Sequence, residues 1–334
     1  AGAGGVIGAR LCEKLVGAGA AVSAFVRYTS RSTPGLLWFM PKPVFNGIGF
    51  VRGDLRDFNA VEQSVDGVDT VFHLGALISI PYSYVHPVET VQTNVLGTMN
   101  VLEACRKHGA KLVHTSTSEV YGTAQRVPID ENHPLQGQSP YSASKIGADK
   151  LVESYYRSFN VPVVTVRPFN TYGPGQSNRA VIPTIITQAL AGDVVRLGNL
   201  STIRDFTYLD DTVEGFLRAG AADLWDGETY NLGTGEEISI GAVAELIFNI
   251  MGKQPEIQVD SNRLRPEKSE VLRLISDNRK AKAKLGWMPR IGMQEGLSRT
   301  IDWISAHLER YQVCLLYTSP SPRDRTRSRM PSSA

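Results

Sequence analysis

The chain has 334 residues, of which 42% are hydrophobic and 20% are charged, and its formal net charge is +2. The C-terminal stretch holds four arginines and one aspartate, so everything before it carries a net charge of −1, which argues against a nucleic-acid partner. Apolar runs stay below the roughly 20 residues of a membrane span, which argues against a membrane protein. The three cysteines are far apart and predict neither a disulfide framework nor a metal cluster, so we expect a cytoplasmic protein without metal.

Apolar strand-like runs alternate with helical patterns through the first half of the chain. Helices are predicted around Leu11, over residues 88–105 and from Tyr141 onward. This alternation predicts an α/β fold, a Rossmann-type doubly wound parallel sheet. The predicted strands are residues 21–26, 50–51, 70–74, 111–114 and 163–166.

Past Val181 the pattern changes to isolated helices near residues 182–191, 240–251 and 293–308. Gly- and Pro-rich connections separate these helices, and the region should form a smaller α/β substrate-binding module. The predicted NAD(P)-binding domain comprises residues 1–177 and about 203–231, and the substrate-binding module comprises residues 178–202 and 232–312.

Both ends of the chain differ from what such a fold leads us to expect. Ala1 already lies at the glycine loop, so the first buried strand of the sheet is expected to be missing. Residues 313–334 are rich in Ser, Pro and Arg, and they are predicted to be a disordered, non-native tail.

A glycine-rich loop precedes the first predicted helix. The spacing Gly-x-x-Gly-x-x-Gly is formed by Gly2, Gly5 and Gly8, with Val6 and Ile7 at the helix start. Glycines there let backbone N–H groups approach a pyrophosphate at the positive end of a helix. Such loops also occur as plain tight turns, and the surrounding strands favour the dinucleotide interpretation.

Further cofactor contacts are expected where the following strands end. Arg27 stands where NAD-selective sites usually have an acidic residue, which slightly favours NADP over NAD. The alternative is a solvated arginine in an exposed loop. The other candidate residues are Asp54 and Leu55 for the adenine, and Leu74, Gly75 and Ala76 where the cofactor crosses the sheet edge.

Tyr141 and Lys145 begin a helix and lie one turn apart on its apolar stripe. A buried ammonium beside a phenol should lower the phenol pKa from about 10 towards neutrality, which would make a phenolate base available. The alternative is a core tyrosine beside a lysine that extends its ammonium to solvent.

The glycine loop, Asp54, Asn94, Thr117 and Tyr141-x-x-x-Lys145 together resemble the extended short-chain dehydrogenase/reductase family, over nearly the whole chain to about Tyr311. The resemblance implies that Tyr141 takes a proton from a sugar hydroxyl while the nicotinamide takes the hydride. It also implies that Lys145 binds the nicotinamide ribose, that Thr117 bonds the same substrate oxygen, and that Asn94 shapes the helix below.

The run Thr117-Ser118-Glu119 is similar to that of nucleotide-sugar 4,6-dehydratases. Glu119 could remove the C5 proton after C4 is oxidised, a base that a 4-epimerase does not need. Ser118 stands where many dehydratases have an aspartate acid, and serine at this position resembles the GDP-mannose type of dehydratase and also the UDP-glucuronate decarboxylases. Glu119 could otherwise be a solvated residue after a strand.

The remaining candidates concern the substrate. The loop holding Ile80 and Tyr82 is similar to that of dehydratases of legionaminic-acid-type sugar biosynthesis, which implies GDP- or UDP-N-acetylglucosamine. By resemblance Asn170 is expected on a substrate phosphate and Arg204 on the diphosphate, with Arg265 as a weaker candidate.

These residues favour a nucleotide-sugar 4,6-dehydratase that regenerates its tightly bound NAD or NADP in each cycle. UDP-glucuronate decarboxylation and 4-epimerisation remain alternatives on the same scaffold. A catalytically dead dinucleotide-binding sensor is the alternative from another class. Analogy with the family leads us to expect a homodimer formed through a four-helix interface.

Overall fold

A computed structural model describes residues 1–28 and 33–311 of the chain. The predicted tail, residues 313–334, lies outside these described residues. The helices and strands reported below, and every contact, belong to the described part.

A four-stranded parallel sheet forms the centre of the first half, and a two-stranded parallel pair accompanies it. In the larger sheet the strand order is β10 (Thr229–Leu232), β5 (Val163–Pro168), β4 (Lys111–Thr115) and β3 (Thr70–His73), and in the smaller one β1 (Val22–Arg27) pairs with β2 (Ile48–Gly53). The predicted α/β fold with parallel strands is confirmed. The strands are β1 Val22–Arg27, β2 Ile48–Gly53, β3 Thr70–His73, β4 Lys111–Thr115, β5 Val163–Pro168, β6 Asn170–Tyr172, β7 Val194–Leu197, β8 Ile203–Arg204, β9 Phe206–Tyr208, β10 Thr229–Leu232, β11 Ile238–Ser239, β12 Glu256–Val259 and β13 Arg273–Leu274.

Helices connect these strands and cover the sheet. The longest described helix is α7, Pro140–Phe159. A capping box between Ser139 and Ser142 and a proline at the first helical position both favour its start. The helices are α1 Val6–Gly17, α2 Lys42–Asn46, α3 Phe58–Val65, α4 Ile80–Val85, α5 Pro87–Val91, α6 Gly97–His108, α7 Pro140–Phe159, α8 Val181–Ala191, α9 Leu209–Ala221, α10 Ile240–Met251, α11 Arg279–Leu285 and α12 Met293–Ala306.

The start of the chain lies along the edge of β3. The Ala1 amino group donates to the Phe72 carbonyl at 2.6 Å, and the Leu74 amide donates to the Ala1 carbonyl at 2.9 Å. These bonds bring the glycine loop to the carboxyl end of β3, where the cofactor residues after β3 were predicted.

Two parts of the secondary structure differ from the prediction. The expected helix over residues 88–105 consists of α5, a π-helical turn at Gln92–Leu96, and α6. Past Val181 the chain contains strands between its helices, and β10 returns to pair with β5 in the main sheet. These strands have only two to four residues, too few for apolar periodicity to reveal them.

The apolar core is divided into several clusters. One lies between α8, α10 and α12 and contains Ile185, Val243 and Leu297. Another contains Leu11 of α1 together with Trp287, whose indole donates to the Asp211 carbonyl at 2.8 Å. Residues near 281–287 therefore pack with the cofactor half, and the exact division into two modules stays a prediction.

None of the helices in the described part of the chain combines the length and apolar character needed to cross a membrane.

Candidate active site

The carboxyl ends of β3, β4 and β5 lie at one edge of the parallel sheet, because neighbouring strands pair in parallel register. Leu74, Gly75 and Ala76 follow β3, the Thr117 run follows β4, and Asn170 follows β5. Ligands of open α/β sheets bind at this edge. The fold therefore collects the candidate residues of three separate sequence segments in one place.

The glycine loop requires glycine for a steric reason. Gly2 has a φ of 82°, and a Cβ on it would lie 2.7 Å from the Gly75 nitrogen. A Cβ on Gly8 would lie 2.3 Å from the Gly2 carbonyl oxygen. The N-cap residue of α1 is Gly5, and no side chain caps the first amides at Val6 and Ile7. This tight, uncapped helix start fits the pyrophosphate of a dinucleotide.

Asn94 and Leu55 contact the backbone of the loop that follows β3. The Asn94 side chain accepts from the Leu77 amide at 2.8 Å and donates to the Ser144 hydroxyl of α7 at 2.9 Å. Leu55 packs so closely against Gly75 that a Cβ atom on Gly75 would lie 2.7 Å from a methyl carbon of Leu55. Asn94 thus joins the loop after β3 to the helix that carries Tyr141.

Arg27 and Asp54 belong to a surface network of charges. The Arg27 guanidinium lies 3.3 Å from the Glu89 carboxylate and 4.0 Å from that of Asp54. Asp54 also accepts two side-chain hydrogen bonds from Arg56, and that contact lowers the pKa of Asp54 to about 2. Arg27 therefore already pairs with two carboxylates, those of Glu89 and Asp54.

Tyr141 and Lys145 share the buried face of α7, with 6% and 3% of their surfaces exposed. The Lys145 ammonium donates to the Thr115 carbonyl at 2.7 Å, and burial lowers its pKa to about 8. Burial raises the pKa of Tyr141, and a side-chain hydrogen bond with Thr117 opposes that increase. The predicted lowering of the phenol pKa is therefore wrong for the protein chain alone. The reason is that the ammonium bonds a carbonyl, and desolvation of the phenolate outweighs the other effects.

The residues after β4 form a 3-10 helix, Ser118–Tyr121. The Thr117 hydroxyl accepts from the Glu119 amide at 3.3 Å, which fixes the turn. Ser118 is buried, whereas the Glu119 carboxylate reaches the Arg265 guanidinium at 3.6 Å. Glu119 is thus held in an ion pair, which excludes the interpretation that it is merely a solvated residue.

Arg204 lies in the same group of charges. Its guanidinium donates to the Ile203 carbonyl at 2.9 Å and lies 3.8 Å from Glu270, and burial lowers its pKa. Arg265 has a buried Nη1 atom without a hydrogen-bond partner among the described residues. Two partly uncompensated guanidinium groups beside Glu119 form a cradle suited to a diphosphate.

The other predicted substrate residues have partners within the protein. Asn170 donates to the Asp205 carbonyl at 3.2 Å. Ile80 is buried at the start of α4, and the Tyr82 hydroxyl donates to Glu89 at 2.5 Å. Tyr82 therefore contacts the carboxylate that also holds Arg27, at a place where the sequence predicted a sugar.

Some residues of the site were not predicted. The Tyr84 and Ser269 hydroxyls lie 2.5 Å apart, and Ser269 donates to the Gln138 carbonyl at 2.6 Å, which ties the Arg265 segment to the start of α7. These contacts join residues distant in sequence and leave no sequence signal. Asp149, buried four residues after Lys145, could have been found from helical spacing.

Comparison with known proteins agrees with this geometry. The family described as GDP-mannose 4,6 dehydratase matches residues 1–300. A trifunctional UDP-glucose 4,6-dehydratase/UDP-4-keto-6-deoxy-D-glucose 3,5-epimerase/UDP-4-keto-L-rhamnose-reductase of Arabidopsis thaliana is 35% identical over 271 residues. The alignment covers 78% of this chain and 40% of that protein, so the chain spans less than half of that relative's length.

Two further proteins resemble the chain over most of their own length. A UDP-glucose 4-epimerase of Mycolicibacterium smegmatis is 31% identical over 309 residues, covering 90% of this chain and 96% of that protein. A crystal structure of a dTDP-glucose 4,6-dehydratase from Streptomyces venezuelae with NAD bound superposes with a TM-score of 0.83. Its identity is 28%, and the match covers 93% of this chain and 98% of the other.

Proposed function

Because the chain belongs to the GDP-mannose 4,6-dehydratase family of extended short-chain dehydrogenases/reductases, we propose that it is a nucleotide-sugar 4,6-dehydratase. The observation that carries the proposal is the position of Glu119, paired with Arg265 and next to the Thr117–Tyr141 hydrogen bond. A carboxylate at this place supplies the base that elimination of water requires. The proposed substrate is GDP- or UDP-activated N-acetylglucosamine.

A bound nicotinamide cofactor would supply the hydride acceptor and donor that such a reaction needs. Gly2, Gly5 and the first amides of α1 would hold its pyrophosphate. Lys145 would hold the nicotinamide ribose. The absence of a side-chain cap at the start of α1 supports this placement, because its first amides have no side-chain partner.

The chain's own residues would then act in sequence on the sugar. Tyr141 would take the proton of the C4 hydroxyl, with Thr117 bonded to the same oxygen. Glu119 would remove the C5 proton, made acidic by the new C4 carbonyl, and would pass it to the C6 hydroxyl, which leaves as water beside Ser118. The sugar would then regain the hydride at C6 and the proton held by Tyr141 at C5. Arg204 and Arg265 would bind the diphosphate and so place the sugar against these groups.

A diphosphate that binds Arg265 would also change the surroundings of Glu119. Its two negative charges compete with Glu119 for the guanidinium 3.6 Å away. Once Arg265 turns to the phosphate, the Glu119 carboxylate loses this ion-pair partner. Binding of the nucleotide would in this way free the carboxylate to face the sugar.

The cofactor preference can be tested at Arg27. A 2′-phosphate would meet the carboxylates of Glu89 and Asp54, which already pair with this arginine. We therefore expect NAD to bind about tenfold more tightly than NADP, against the slight preference for NADP drawn from the arginine alone. Calorimetric titration with both cofactors measures this ratio. In the control variant Glu89→Gln, the difference in affinity between NAD and NADP should become smaller. Tighter binding of NADP than of NAD by the unaltered protein would contradict the expectation.

The 4-epimerase reaction is the second candidate, favoured by the similarity to the Mycolicibacterium smegmatis enzyme over nearly its whole length. Epimerisation needs Tyr141 and the cofactor but no base at C5. UDP-glucuronate decarboxylation is a third reaction on this scaffold, and its substrate would bring a carboxylate towards Glu119.

One experiment separates these reactions. The protein is incubated with UDP-N-acetylglucosamine, its GDP counterpart, UDP-glucose and UDP-glucuronate, and products are followed by mass. Loss of water supports the dehydratase. Loss of carbon dioxide, or an unchanged mass with inverted C4, contradicts it. Bound cofactor without turnover of any sugar would instead support a dinucleotide-binding sensor.

A homodimer and a cytoplasmic location also remain proposals. Val85 and Val88, at the end of α4 and the start of α5, are 72% and 67% exposed. Neighbouring apolar side chains exposed to this degree support an interface with a second copy.

A further inference from the structure

We propose that Asp149 is a positioning residue for the reactive pair of α7, because it fastens this helix to Ser116 at the end of β4. Ser116 lies between Thr115 and Thr117, which Lys145 and Tyr141 contact. The inference rests on the proposed function of that pair. It concerns a buried carboxylate that takes no direct part in the chemistry described above.

The first observation is a stripe of contacts along α7. Tyr141, Lys145 and Asp149 are spaced four residues apart and lie on one buried face. Each one contacts a different residue at the end of β4, and those three residues are consecutive. Lys145 donates to the Thr115 carbonyl at 2.7 Å, Asp149 accepts from the Ser116 hydroxyl at 2.7 Å, and the Tyr141 phenol lies within reach of the Thr117 side chain.

The second observation is that Asp149 holds more than Ser116. Its carboxylate lies 3.2 Å from the His114 Nε2 atom and accepts from Arg167 at 2.9 Å. Since an ionised carboxylate only accepts hydrogen bonds, the His114 proton must be on Nε2. Asp149 thus ties α7 to both β4 and β5, with 7% of its own surface exposed.

Arg167 is held in turn by the aromatic group on its other side. It donates to the Tyr121 hydroxyl at 3.0 Å, and its guanidinium lies 5.0 Å from the centre of that ring. Tyr121 closes the 3-10 helix that carries Glu119. The network from Asp149 therefore reaches both the Tyr141 helix and the turn of the proposed C5 base.

The charges near the reactive pair give Asp149 a second effect. Its negative charge favours the ammonium of Lys145 and disfavours the phenolate of Tyr141, so it raises the pKa of both groups. The other titratable or charged groups that face Tyr141 or Lys145 are His73 of β3, His114 of β4 and Glu119 after β4, whereas Arg167 of β5 faces Asp149.

The test is Asp149→Asn, with Asp149→Glu as the variant that keeps the charge. Reduction of bound cofactor by the sugar is followed in a single turnover across pH. We expect a roughly 10- to 100-fold slower reduction in Asp149→Asn, because small misplacements of reacting groups are costly. The alkaline limb of its pH profile, which follows the titration of Lys145, should also move to lower pH by about one unit. Asp149→Glu should lower the rate but leave this alkaline limb in place.

A direct titration makes the test independent of the sugar. With lysine-labelled protein, NMR should place the Lys145 midpoint near 8 in the unaltered chain and lower in Asp149→Asn. The signal is assigned by its loss in Lys145→Arg. This measurement needs no turnover, so failure of the proposed function and failure of the role of Asp149 remain distinguishable.

Asp149→Asn leaves Arg167 as an unpaired buried cation, which can prevent folding. The double variant Asp149→Asn, Arg167→Met removes both members of that ion pair and should still show the lower Lys145 midpoint. A slower rate with an unchanged alkaline limb and an unchanged Lys145 titration midpoint would show that Asp149 is only a structural residue, and it would overturn the proposal. An unchanged rate would overturn it as well.

Discussion

Replacing Tyr141 by Phe should lower the rate of cofactor reduction by about 10²- to 10⁴-fold, the usual contribution of a positioned acid or base. The Tyr141 phenol reaches the Thr117 side chain, and the residue is only 6% exposed. Phenylalanine fills the same space, so folding should be retained. Single-turnover absorbance of the reduced nicotinamide measures the loss.

The matched control for Tyr141→Phe is Tyr155→Phe on the same helix. The Tyr155 hydroxyl donates to Glu103 at 2.5 Å, away from the sheet edge where the candidate residues meet. Its removal should leave the reduction rate within a few fold of the unaltered enzyme. Near-normal reduction in Tyr141→Phe would show that another group takes the sugar proton.

Replacing Glu119 by Gln should stop water loss and yet permit cofactor reduction. The amide keeps the size of the side chain but cannot accept a C5 proton, so elimination should fall by about 10²- to 10⁴-fold. The C4 oxidation depends on Tyr141 and should continue, and reduced cofactor should accumulate. Product mass and nicotinamide absorbance, followed together, separate the two steps.

The control for this variant is Glu270→Gln. Glu270 is a carboxylate of the same charged group, 3.8 Å from Arg204, but it is not next to Thr117. Its loss should change nucleotide affinity and leave water loss intact. If Glu119→Gln abolishes cofactor reduction together with water loss, Glu119 serves binding or folding, and the assigned role is wrong.

The pH behaviour of the site follows from the environment of Lys145. Burial lowers the pKa of this lysine from its usual value near 10.5 to about 8, so it begins to lose its proton within the range in which enzymes are assayed. Deprotonation removes the cation that we propose holds the nicotinamide ribose, and it should reduce activity on the alkaline side. The spacing of the sequence predicted the pair, but the predicted direction of the Tyr141 pKa shift was wrong, because desolvation depends on burial by segments that are distant in the chain.

Several residues could be identified without coordinates because their chemistry depends on local spacing. Gly2, Gly5 and Gly8 stand at the start of an apolar helical repeat, and a side chain at Gly2 or Gly8 would clash with the neighbouring backbone. Tyr141 and Lys145 share a face because a helix brings residues four apart together. The alternation of strands and helices in the first half likewise determined the parallel sheet.

Tertiary structure alone decided which of these groups touch. The Glu119–Arg265 pair joins residues far apart in the chain, and the carboxylates around Arg27 come from two other segments. Short strands such as β10 escaped prediction because a few residues carry no period, and their pairing is determined by neighbours in space. Local spacing thus determined the reactive pair and its helix, whereas long-range packing decided their pKa values, their counter-ions and the role of Asp149.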